Sequence, residues 1–89
     1  MRAIVTVIGK DQVGIIASVC ALLSEHNVNV LDISQTVMQG YFTMMMAVEV
    51  SQCSVPLGEL VTKMEQAGRE MGLSVRVQRE DIFEAMHRV

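Results

Sequence analysis

The sequence predicts an α+β sandwich of order βαββαβ: a four-stranded antiparallel sheet, two helices on one face and a short helical tail. Three observations carry that reading. Apolar residues switch twice from a strand-like to a helix-like period along the chain. The breaks between those segments hold Gly, Asn or Pro, residues that stop helices and turn chains. With 89 residues there is room for one domain and one modest core. Two βαβ-type crossovers of the usual hand then give the ferredoxin-like arrangement. That architecture hosts many functions, so by itself it assigns none.

Residues Ala3–Ile8 are apolar on both parities, as expected of a central strand covered on part of each face. Gly9 to Gly14 interrupt the run, and Asp11 is placed to cap the helix that follows. From Val13, apolar residues recur at Ile16, Ala17, Cys20 and Leu23, while Ile15, Val19 and Leu22 widen the stripe. His26-Asn27 closes this helix, since Asn tolerates left-handed backbone. Val28–Met38 is a strand whose alternation slips near Val30-Leu31, which predicts a bulge. Gln39-Gly40 supplies a tight turn into Tyr41–Val50, with Phe42, Met44, Met46, Val48 and Val50 on one face. Pro56 suits the first turn of a second helix, whose apolar face is Leu57, Leu60, Val61, Met64, Ala67 and Met71. Gly72 stops it, and Leu73, Val75 and Val77 alternate as a half-exposed strand. Residues 1–80 form the domain. The tail, 81–89, reads as a short helix with Asp81 and Glu84 at capping-box spacing. It is too short to persist alone, so Ile82, Phe83 and Met86 need to dock on the domain or a dimer mate.

Composition narrows the function. The net charge is −3 and the basic residues are scattered, which argues against nucleic acid as a partner. No apolar run approaches the ~18–20 residues of a membrane span. The start of the chain reads as a strand rather than a signal peptide. Cys20 falls on an apolar helix face, and Cys53 in a polar stretch reads as an exposed thiol suited to a reducing compartment, so the cytoplasm is expected. No CxxC or Cys/His spacing is present, and neither metal nor cofactor is expected. His26 and His87 are isolated, as surface or capping histidines would be. Strand geometry splits Met44-Met45-Met46 between two faces, which favours packing over copper binding.

The loop GKDQVGI between the first strand and helix is the segment to explain. It matches neither the Walker nor the dinucleotide glycine pattern. It has no cysteine for a soft metal and no arginine to clamp a phosphoryl group. Tyr41 and Phe42 are adjacent, so they point to opposite faces and make no base-stacking platform. No nucleophile–base pair is legible, and an enzyme is not expected. What remains is a glycine in the first helical turn, beside free N–H groups and the Asp11 carboxylate. Such a helix start attracts an anionic group such as an amino acid's carboxylate. Asp11 then either takes the ammonium or serves only as a cap.

The pattern GKDQVGIIASV…NVNVLDISQT on this frame resembles the ACT domain, a small regulatory module that senses amino acids. DISQTVMQGYFTMMM and the tail IFEAMHRV are more specifically similar to the stand-alone ACT proteins of the UPF0237 group. The resemblance covers nearly the whole chain. It implies that paired domains join at sheet edges or stack, with ligand held between them. It places the ligand-binding set at Asp11, Gln12, Val13, Gly14 and Ile15 of the loop, with Asn29 at the start of the second strand. Serine-sensing members carry an asparagine and, two positions earlier, a histidine; here those positions are Asp11 and Gly9, so serine specificity does not carry over. The expectation is a homodimer binding an amino acid or similar small metabolite at its interface. The alternative is an interaction protein that regulates another protein and binds no metabolite.

Overall fold

The computed structural model describes residues 1–86, and its elements follow the predicted order. They are β1 (Arg2–Lys10), α1 (Ile15–Glu25), β2 (Asn29–Met38), β3 (Tyr41–Glu49), α2 (Leu57–Glu70), β4 (Ser74–Arg79) and α3 (Glu80–Met86). His87 and the end of the tail lie outside the described residues. The four strands form one antiparallel sheet in the order β2-β3-β1-β4. β1 and β3 are therefore central, and β2 is an edge.

Alternation decides what is buried. Ala3, Val5 and Val7 of β1 pair with Val48, Met46 and Met44 of β3, and all six are buried. Phe42 extends this layer, and Ile15, Val19 and Leu23 of α1 with Leu60 and Met64 of α2 close it. The other parity of β1 is not covered in the same way. Ile4 and Thr6 are half-buried and Ile8 is 48 % exposed, because among the described residues only the short helix α3 lies on that face.

The predicted bulge is present, with the β2–β3 register shifting between Val30 and Asp32. Asn27 ends α1 at φ 60. Gln39 (φ 51) and Gly40 (φ 84) form the β2–β3 turn, both left-handed as a two-residue hairpin requires.

Several local expectations are corrected. α1 starts at Ile15, behind a left-handed Gly14 and without any side-chain cap, so Asp11 does not cap it. That later start rotates the buried stripe onto Ile15, Val19 and Leu23; Ala17 is exposed and Val13 lies outside the helix in solvent. Cys53 is half-buried against the core rather than exposed. Pro56 precedes α2 as its N-cap instead of standing in the first turn. Asp81 is inside α3, not at its cap. Its carboxylate accepts from the Ile82 N–H at 2.9 Å and pairs with Arg79 at 2.6 Å. α3 lies against β1 and β4 with none of its residues fully buried; Ile82 and Met86 stay 46 % and 59 % exposed, and only Phe83 of the three is half-buried.

Candidate functional site

The loop after β1 is held from two directions. The Asp11 N–H donates to the Gly40 carbonyl at 2.8 Å, which ties the loop to the β2–β3 turn. The Gln12 side-chain amide donates to the Met71 carbonyl at 2.9 Å, which ties it to the end of α2. Between these anchors Gly14 stands at φ 90, a conformation open to glycine and costly for other residues. A Cβ on Gly14 would meet no atom within 4 Å. Backbone conformation, rather than crowding inside the chain, is therefore what calls for glycine here.

α1 then presents its first turn with the Ile15, Ile16 and Ala17 N–H groups beyond the reach of intrahelical acceptors, as at any helix start. Ile15 is 2 % exposed, so its side chain belongs to the core and only its backbone faces outward. These groups line a hollow of about 420 Å³, bounded by Asp11, Gln12 and Gly14 on one side and by Gln35 and Val37 of β2 on the other, with Phe42 beneath.

Gln35 and Val37 were not among the residues singled out from sequence. Gln35 pairs with Met44 and Val37 with Phe42, both buried on the helix side, so β2 turns a polar group toward α1 there. The legible signal was a lone polar residue at an apolar parity, Ile33-x-Gln35-x-Val37.

Asn29 is elsewhere. It pairs with Glu49, while the loop lies beyond the Met38–Tyr41 end of the same strands. Nine residues of strand separate the two ends, about 30 Å. Asn29 also shares the open face with Glu49, whereas the hollow opens on the helix side. Val13, at 102 % exposure, projects away from the chain altogether. One chain thus brings Asp11, Gln12, Gly14 and the Ile15 backbone together and leaves Asn29 and Val13 apart. Among the described residues no three His, Cys, Asp or Glu side chains gather as metal ligands would, and no helix is long and apolar enough to cross a membrane.

Comparison with known proteins agrees with this geometry at the level of family and fold. A family model described as the ACT domain matches residues 2–78. A UPF0237 protein of Bifidobacterium longum is 53 % identical over 88 residues, covering 99 % of this chain and 98 % of the relative. One from Methanopyrus kandleri is 50 % identical over the same share of both chains. The solved structure of an ACT domain protein from Streptococcus pneumoniae superposes with a TM-score of 0.82 at 41 % identity, over 98 % of each chain. The regulatory subunit of aspartate kinase from Thermus thermophilus, in its ligand-free form, matches at 0.65 and 26 % identity, over 86 % of this chain and 50 % of that one. With the family model spanning most of the chain and its relatives aligned end to end, the chain belongs to the ACT domain family and, within it, to the UPF0237 group.

Proposed function

We propose that this protein is a regulatory ligand-sensing module, binding an amino acid or similar small metabolite between two copies of itself. The observation that carries the reading is the uncapped start of α1 behind Gly14, facing Gln35 across a hollow on an exposed edge strand. In it the ligand's carboxylate takes the N–H groups near Gly14 and Ile15, where the helix dipole favours negative charge. Asp11 takes the ammonium, and Gln35 a further polar group.

The second copy enters because, among the described residues, β2 is unpaired along one side and exposed over nearly its whole length, with Leu31, Ile33 and Val37 in solvent. An edge of this kind invites pairing. Antiparallel pairing of β2 with β2 of a second copy sets the start of one strand beside the end of the other. Asn29 of the second copy then stands at the loop's end of the sheet, which its own chain keeps about 30 Å away. Pairing leaves it on the open face, so its amide meets the ligand round the edge of the strand. Val13 also gains a surface to cover it. The same edge suits a strand from a regulated protein, which keeps the interaction reading in view.

The test is a thermal-shift screen of the purified protein against the amino acids, followed by calorimetry on each hit. A ligand that binds only the folded state raises its melting temperature. The expected outcome is a hit that Gly14→Val abolishes and that Asn29→Ala or Gln35→Ala weakens. Should no amino acid stabilise the protein, the interaction reading replaces this one.

A further inference from the structure

The sheet face away from α1 and α2 holds a second recess. Its floor is set by register: Met45, Thr6 and Arg76 stand side by side across β3, β1 and β4, with Ile8 beside Ser74 in the next row. α3 forms one wall with Phe83 and Met86, and the Gln78 amide reaches the Met86 sulfur at 3.5 Å. The recess measures about 590 Å³, within the range of small-molecule sites.

Its lining is mixed in a specific way. Ile8, Met45, Phe83 and Met86 are apolar, Thr6, Ser74 and Gln78 offer neutral polar groups, and Arg76 is the one charged residue among the described residues of the lining. The arginines flanking this face are already matched, Arg2 with Glu80 at 3.7 Å and Arg79 with Asp81 at 2.6 Å. Among the described residues no carboxylate pairs with Arg76, and none lines the recess.

From this we infer that the open face is a second ligand site, taking a small carboxylate with an apolar body. Arg76 is the planar donor fork for the carboxylate, Thr6 the neighbouring hydroxyl, and Met45, Phe83 and Met86 the apolar cover. A zwitterionic amino acid does not suit it, because its ammonium would sit beside Arg76 with no acidic partner. The site therefore differs from the loop hollow in both place and ligand class, and it stands or falls independently of the function proposed above.

Octanoate is the probe, with octanol as its uncharged match, titrated into isotope-labelled full-length protein and read by amide chemical shifts. Saturable shifts are expected at Thr6, Arg76 and Gln78, with those of Asp11 to Ile15 unmoved. Arg76→Gln should weaken octanoate roughly tenfold or more, the loss of one charge-assisted contact, and leave octanol unchanged. Arg69→Gln, on α2, should bind like the parent. Equal binding of octanoate and octanol, equal binding by Arg76→Gln, or octanoate shifts confined to residues of α1 and α2 would each overturn the inference. So would open-face shifts that follow protein concentration and ignore octanoate, since a second copy would then occupy the face.

Discussion

Gly14 carries the sharpest residue-scale prediction. At φ 90 a branched side chain is strained wherever it points, so Gly14→Val should cost about 1–3 kcal/mol of stability as well as ligand binding. Gly14→Ala carries the backbone strain without the branched side chain: calorimetry should show binding weakened while circular dichroism shows a folded domain. Gln35→Ala should leave the melting temperature nearly unchanged, because Gln35 is exposed, yet weaken ligand by the roughly 0.5–1.5 kcal/mol of one hydrogen bond. Glu49 gives a pH prediction. It accepts from the N-terminal ammonium at 2.6 Å and from Ser51, which hold its pKa down at about 2 against an ordinary 4.5. A depressed carboxylate stabilises the fold above the unfolded value, and that contribution fades as pH falls through 4.5 toward 2. Exposure keeps the effect small, so a carboxylate titration by NMR is the better reading, and a midpoint near 4.5 would contradict it. The sequence made the loop legible through its glycine and its place after an apolar strand. It did not disclose Gln35, because a single polar residue in an imperfectly alternating strand looks like solvent exposure until the register is known.

Two elements, β2 and α3, carry much of the exposed apolar surface among the described residues. β2 is ten residues long with a single half-buried position, and among the described residues no strand pairs with its outer backbone groups. Ile33→Lys should disrupt self-association without unfolding the chain, since Ile33 is already 41 % exposed; sedimentation velocity would show a shift from dimer to monomer. A dimer that the variant leaves intact would place the contact on another face, and a monomeric parent would remove the proposed dimer itself. α3 is the other case. Ending the chain after Arg79 removes Ile82, Phe83 and Met86, none fully buried, so the loss is expected to be about 1–2 kcal/mol, or roughly 5–15 °C in melting temperature for so small a domain. Differential scanning calorimetry measures it, and no change would mean that α3 adds nothing to the fold. Helix and strand identities followed from period, but the stripe of α1 was misread by its start. Counting from Val13 puts Val13 and Ala17 inward, whereas the left-handed Gly14 delays the helix and leaves both exposed. Cys20 does pack half-buried against the core, beside the fully buried Ile15, Val19 and Leu23.

For the molecule as a whole, period and punctuation sufficed for the topology because each crossover had only one arrangement of usual hand available. Nothing in a single sequence tells which strand end a residue will share with a distant loop. Asn29 and Gly14 are the instance: fifteen positions apart in the chain, they lie at opposite ends and on opposite faces of the sheet. Under the proposed function one ligand uses both, which takes two chains, and that has a thermodynamic consequence. A ligand held between copies binds the dimer better than the monomer, so it must tighten association by the same factor by which association tightens ligand. Sedimentation equilibrium at several protein concentrations, with and without the amino acid found by screening, should show the dimer strengthened by ligand. Asn29→Ala should weaken that coupling while leaving the ligand-free equilibrium nearly as it was. Ligand affinity independent of protein concentration, with the monomer binding as well as the dimer, would mean that the loop hollow is complete in one chain and that Asn29 has no part in it.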